Sequence, residues 1–197
     1  MNFLTQLCHL ENKRIILASQ SPRREEMLRA GGLEFEVVPA QTRENPHHFQ
    51  DEIDYVRQSA HIKASWVWER VQADLLIAAD TIVVKDGQIF EKPRDDAEAR
   101  AVLKTLSGVT HQVITAFCLR SRKQEIIDHE ITDVTFYSLT EREIDAYLST
   151  GEPYDKAGGY GIQGWGGIFI EKVQGCYFNV VGFPLGRFYQ RLKELNI

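Results

Sequence analysis

The segment Leu75 to Val84, LLIAADTIVV, is the most strand-like stretch of the chain, and strand and helix patterns alternate on either side of it. That alternation points to an α/β domain, a sheet with flanking helices. Arg14 to Ala18 reads as a short buried strand. Ser21-Pro22 then opens a helix, with Ser21 as N-cap and Pro22 at the first helical position, where a missing N–H costs nothing. Gly31-Gly32 ends it, and Phe35 to Val38 is a second strand, followed by a polar loop to about Gln50. From Asp51 to about Gln72 the residues Ile53, Val56, Ala60, Ala64, Val67 and Val71 recur at helical spacing and make one core-facing stripe. Trp66 and Trp68 read as packing residues of this helix.

Beyond the central strand, Asp86-Gly87 is a type I′ hairpin signal, with Ile89-Phe90 as the return. Asp95 to Ser107 predicts a helix closed by Gly108. Two strands follow, about His111 to Leu119 and Ile126 to Tyr137. Thr140 with Glu143 forms a capping box for a helix to Leu148. Gly151 to Gly167 is glycine-rich and irregular; a last strand pair is expected near Ile168–Val173 and Phe178–Val181, before a C-terminal helix from about Pro184. A chain of 197 residues suits one sizeable domain, or two lobes sharing a core, with residues 1–13 as an N-terminal extension.

Composition narrows the function classes. No stretch approaches the roughly 20 apolar residues needed to span a bilayer. The start lacks a basic region and an apolar run of signal-peptide length, so a cytoplasmic protein with no membrane partner is expected. Cys8, Cys118 and Cys176 are odd in number and far apart, which disfavours a disulfide framework or a structural zinc site. The formal net charge is −5. Binding to polymeric nucleic acid relies on an excess of Lys and Arg, so a small anionic ligand held by a local basic cluster fits better.

Four segments could carry chemistry. In Leu17-Ala-Ser-Gln-Ser-Pro-Arg-Arg24 a strand runs into a helix N-terminus, which offers unpaired N–H groups to an anion. Arg23 and Arg24 stand in the first turn, where a cation is unfavourable unless an anion compensates, and with Ser19 and Ser21 they could grip phosphate oxygens. A solvated basic turn capped by Ser21 accounts for the same residues equally well. In Ala79-Asp80-Thr81 a carboxylate interrupts an apolar strand; burying it costs several kcal/mol unless it is paired or holds a metal. Such an acid can activate water or bind a divalent cation, and the competing reading is pairing with a nearby Arg. Lys92, before Pro93, projects from an extended loop, although alone it reads as a solvated lysine, and Lys63 alone reads as a surface residue. The fourth segment is Gly151 to Gly167, whose glycines would let backbone approach a ligand and whose Gln163 can donate and accept at once.

Taken together these segments resemble the Maf family of nucleotide pyrophosphatases. The likeness runs from Leu17 almost to Pro184. It rests on Ser19 and Ser21-Pro-Arg-Arg24, Lys63-Ala64, Ala79-Asp-Thr-Ile-Val83, Glu91-Lys-Pro93, Leu106-Ser-Gly108 with His111, Gly151-Glu-Pro153, Asp155-Lys-Ala-Gly158, Tyr160-Gly-Ile-Gln-Gly164 and Asn179-Val-Val-Gly182. The resemblance implies a mixed α/β fold related to inosine triphosphate pyrophosphatases, two lobes around a deep central cleft, often as a homodimer. It implies hydrolysis of a nucleoside triphosphate substrate between the α and β phosphorus atoms, assisted by magnesium or manganese. Asp80 then corresponds to the proton acceptor, and Ser19, Arg23, Arg24, Lys63 and Lys92 to the phosphate-binding set. Glu44 corresponds to a metal ligand, although Arg43 stands where many relatives carry a second acid.

Within the family, Asp155-Lys-Ala-Gly158 with Gly161-Ile-Gln163 resembles the branch acting on dTTP, UTP and modified pyrimidine nucleotides. By the same likeness Arg23, Thr81 and Gln163 are its specificity residues. The competing expectations are a 7-methyl-GTP pyrophosphatase and a nucleotide sensor without turnover, since some relatives are linked to septum formation and arrest of division.

Overall fold

A computed structural model describes residues 2–42 and 48–197. In chain order the elements are α1 (Phe3–Leu7), β1 (Ile15–Ala18), α2 (Pro22–Ala30), β2 (Glu36–Val37), α3 (Glu52–Trp68), β3 (Leu75–Lys85), β4 (Gln88–Phe90), α4 (Asp96–Leu106), β5 (Thr110–Arg120), β6 (Glu125–Phe136), α5 (Glu141–Leu148), β7 (Ile170–Gln174), α6 (Tyr177–Val181) and α7 (Leu185–Leu192). The described strands form one seven-stranded sheet in the order β2-β1-β3-β5-β6-β7, with β4 pairing β3. Strand β1 runs parallel to both β2 and β3, whereas β4 on β3 and β7 on β6 are antiparallel. The fold is therefore a mixed α/β sheet with flanking helices, as the alternating pattern predicts.

The chain divides into two compact units, the first comprising Met1–Asp80, Thr115–Glu130 and Gly182–Ile197, the second Thr81–Ile114 and Ile131–Val181. In the first unit β1 and the start of β3 are fully buried, and Phe117, Phe183 and Phe188 pack ring on ring beside them. Residues before β1 belong to this unit: the N–H groups of Leu4 and Thr5 donate to the carbonyls of Gly31 and Gly32, and Leu10 is buried. Gly32 takes the left-handed conformation (φ 75°) that closes α2.

The second unit packs α4 and α5 around Val134, Phe136, Phe169 and Tyr160. Asp86 and Gly87 both have positive φ, as a type I′ turn demands. Thr140 and Glu143 make the complete reciprocal capping box. The glycine-rich segment forms three short 3-10 turns, Glu152–Asp155, Ala157–Gly159 and Trp165–Phe169.

One predicted strand is corrected. Phe178–Val181 is not the partner of β7; it lies in the helix α6. Strand β7 pairs instead with Asp133–Phe136 of β6. The helix starts where the Cys176 carbonyl accepts from the N–H groups of Asn179 and Val180. It also aims Asn179 inward, where Nδ2 donates to the Val113 carbonyl and to Thr132 Oγ1 at 2.9 Å each. Four residues, Phe-Asn-Val-Val, are too few to show a period of their own, so their tertiary partners chose helix over strand.

Candidate functional site

Parallel pairing of β1 with β3 sets Ala18 beside Ala78, so Ser19 leaves its strand level with the residue before Asp80. Ligand sites in α/β sheets gather at such carboxyl ends of parallel strands. Ser19 is buried; its Oγ accepts from the Ser21 N–H at 3.1 Å and from Arg24 Nη1 at 2.8 Å. Ser21 caps α2 by accepting from the Arg24 N–H. Arg24 is itself buried, 7% exposed, and ties three elements together: Nη1 also donates to the Ala79 carbonyl at 3.1 Å and Nε to the Gly182 carbonyl at 3.2 Å. Its neighbour Arg23 is half-buried.

Asp80 and Thr81 are the two residues inside β3 that break an otherwise buried pattern. The Asp80 carboxylate meets Lys63, whose Nζ donates to Oδ1 at 2.9 Å. Both side chains are mostly withdrawn from water, 10% and 13% exposed. Lys63 reaches the strand because it lies on the buried stripe of α3 with Val56, Ala60, Ala64 and Val67. Ser19, Arg24, Lys63 and Asp80 are thus brought together in the first unit: Arg24 and Lys63 donate directly to β3, which carries Asp80, and Ser19 joins them through Arg24.

Thr81, Lys92 and Gln163 belong to the second unit. Thr81 directly follows Asp80 and is half-buried. Lys92 is exposed and precedes the buried Pro93. Gln163 is exposed at the tip of a turn in which the Gly164 N–H donates to the Gly161 carbonyl at 3.2 Å. Gly158, at φ +68°, sits against Val83, where a Cβ would approach Cγ2 to 2.6 Å; only glycine lets this segment lie on β3. Glu44, the expected metal ligand, lies outside the described residues.

With Lys63 on one oxygen, Asp80 has a second, hard oxygen donor to offer, which suits magnesium or manganese, ions that take one or two carboxylates together with phosphate and water. A softer grouping is His61, Cys118 and Glu125, with ligand atoms within 4.8 Å of one another. There His61 Nδ1 is already 3.1 Å from Glu125, and Arg120 pairs with the same carboxylate. Burial holds the Cys118 thiol far above its ordinary range, so this grouping is a satisfied network of protein partners.

Comparison with known proteins decides the family. A family model described as Maf-like protein matches residues 14–195. The chain belongs to the Maf-like family. This Maf-like chain is 46% identical over 184 residues to a dTTP/UTP pyrophosphatase of Bacillus cytotoxicus, covering 93% of this chain and 96% of that protein. It is 45% identical over 185 residues to a dTTP/UTP pyrophosphatase of Bacillus cereus, covering 94% and 91%. Among solved structures, a Ham1 protein of Staphylococcus aureus overlaps 63% of this chain and 72% of its own at a TM-score of 0.47 and 11% identity. No helix among the described residues is long and apolar enough to cross a membrane.

Two Maf-like features escaped the reading of residues alone. Lys63 reads as a surface lysine by residue type, yet it stands seven after Val56 and three after Ala60, the spacing of the core stripe. Glu152 carried no role, and the structure places it at the centre of the glycine-rich segment.

Proposed function

We propose that this chain hydrolyses pyrimidine nucleoside triphosphates, dTTP and UTP, to the monophosphate and pyrophosphate. The observation that carries the chemistry is the Lys63–Asp80 pair, an acid held within a buried strand by one ammonium, next to a serine fixed by a buried arginine. The names of the relatives supply the substrate class.

A triphosphate carries about four negative charges, which repel a nucleophile, so catalysis is mainly charge neutralisation and in-line positioning. Ser19, Arg23, Lys63 and Lys92 bind the phosphate chain. Arg24 completes this set from behind, by fixing the Ser19 hydroxyl and the Ala79 carbonyl. Lys63 orients Asp80 through Oδ1, and the other carboxylate oxygen accepts a proton from the attacking water. The water oxygen bonds to the α phosphorus while the bond from that phosphorus to the bridging oxygen breaks, and pyrophosphate leaves with the electron pair. A magnesium or manganese ion, with Glu44 as its expected ligand, would supply further neutralisation of the phosphate oxygens. By the family resemblance, Arg23, Thr81 and Gln163 are the residues that select the base.

The test is pyrophosphate release from purified protein across dTTP, UTP, CTP and 7-methyl-GTP. Asp80→Asn is expected to retain nucleotide binding and to lose turnover by about 10²–10⁴-fold, the usual scale for a general base. Undiminished turnover in that variant removes Asp80 from the chemistry, and a preference for 7-methyl-GTP removes the pyrimidine assignment.

A further inference from the structure

The turn that carries Gln163 is hooked at both ends to one pair of side chains, the buried Tyr147 and the half-buried Glu152. Glu152 Oε2 accepts from the Trp165 N–H at 2.8 Å, and Oε1 accepts from the Gly166 N–H at 3.2 Å. The Tyr147 hydroxyl donates to Oε1 at 2.9 Å and accepts from the Gly161 N–H at 3.3 Å. Residues 161 and 166 are therefore fixed, and Ile162 and Gln163 form the turn between them, closed by the Gly164-to-Gly161 hydrogen bond. The glycines are what let the carboxylate in. A Cβ on Gly164 would lie 2.3 Å from Glu152 Oε2, and one on Gly166 would lie 2.9 Å from the Tyr147 oxygen. Desolvation pushes the Glu152 pKa up, but the Trp165 and Gly166 amides, the Tyr147 hydroxyl and the Lys156 charge outweigh it, and the group stays below the ordinary carboxylate range.

Four hydrogen bonds converge on one carboxylate and one phenol beneath the segment from Gly161 to Gly166, which the Gly164-to-Gly161 bond alone would close. Gln163 itself is exposed. A glutamine amide can donate or accept, so on a loose turn it satisfies either the O4 acceptor of thymine or uracil or the N4 donor of cytosine. Discrimination requires the backbone beneath it to be held still. We propose that Glu152, with Tyr147, is the positioning residue for base recognition, fixing the turn from which Gln163 reads the pyrimidine edge. The inference rests on the proposed activity for its substrate class and on Gln163 for its reader. Glu152 acts through the turn and touches no reacting atom.

The experiment compares wild type, Glu152→Gln and Tyr147→Phe. The amide of Glu152→Gln sets an NH₂ against backbone donors, whereas Tyr147→Phe removes the hydroxyl links to Gly161 and to Glu152 Oε1 and keeps the core ring and both amide bonds to Glu152, so it guards against a folding failure in the first variant. Hydrogen exchange at the Trp165 and Gly166 amides is expected to accelerate in Glu152→Gln. KM for dTTP is expected to rise on the order of tenfold, the scale of one lost ligand hydrogen bond, while kcat moves far less. The preference for dTTP over dCTP is expected to narrow, with Tyr147→Phe moving the same way by less. An unchanged KM and base preference despite faster amide exchange overturns the proposal, as does a fall in kcat alone. Equilibrium titration with dTTP and dCTP without added metal puts the same question in terms of binding. A wild type that releases no pyrophosphate yet binds dTTP selectively, with that selectivity lost in Glu152→Gln, sinks the proposed activity and leaves the positioning role standing.

Discussion

At Lys63 a mostly buried ammonium faces a mostly buried carboxylate at 2.9 Å, and the pairing offsets part of the cost of withdrawing each charge from water. Removing one member of a buried pair strands the second, at a cost of about 3–5 kcal/mol, more than the intact pair contributes. Lys63→Met is therefore expected to lower stability by roughly that amount and to abolish turnover. The double variant Lys63→Met/Asp80→Asn is expected to regain much of the stability and none of the activity. Denaturant titration of the four proteins measures this coupling, and strictly additive losses would falsify it. Asp80 was legible from sequence because a lone acid among Leu, Ile, Val and Ala demands a partner. The identity of that partner was not legible, since Lys63 lies 17 residues earlier on another element. Arg24 was legible as a cation at a helix start, but its commitment to the carbonyls of Ala79 and Gly182 depends on residues 55 and 158 positions away.

Four helix starts in this chain are written locally and came through from sequence to structure. Asp51, Asp95 and Thr140 each accept from the N–H three residues on, and Ser21 does the same with Pro22 behind it. Thr140→Ala is expected to cost about 1 kcal/mol, with α5 as the element that loosens; a thermal or denaturant midpoint indistinguishable from wild type would show that packing of Ile144 and Tyr147 alone holds the helix. The β3–β4 hairpin was equally legible, because Asp86-Gly87 accepts positive φ at both positions. Segment 178–181 was not, because four residues give neither a helical nor a strand period and the decision passed to Asn179, Val113 and Thr132. The same limit applies to the glycine-rich segment: its glycines announce close approach, but only the tertiary structure shows that what approaches is the Glu152 carboxylate.

Over the molecule as a whole, acid acts on the two units through different groups. In the second, His111 is 2% exposed, with Nε2 at 2.7 Å from the Tyr160 hydroxyl and ring contacts to Phe136 and Tyr160. Burial, and then the Lys85 charge, push its imidazole from 6.5 down to about 4. The unfolded chain thus takes up a proton that the folded chain refuses. Its stabilising contribution is complete above pH 6.5 and is lost as the pH falls toward about 4, a change of about 3 kcal/mol. Unfolding free energies measured across that window are expected to decline, and His111→Phe is expected to flatten the decline; an equal slope in the variant would assign the effect elsewhere. In the first unit Asp128, buried against burial's own upward push, is held below its ordinary 3.8 by hydrogen bonds from Arg191 and the His129 N–H and by the charges of Arg187 and Arg191. Its contribution is lost only at more acidic pH, as pH falls below 3.8. What the sequence by itself determined was most of the succession of strands and helices, their caps and turns, and the presence of a strand acid too costly to bury without a partner, because these follow from period, local hydrogen bonding and residue type. Which cation meets which acid, which side of residue 174 is strand, and what grips the Gln163 turn were decided by the tertiary structure, because those choices are energies of contact between segments far apart in the chain.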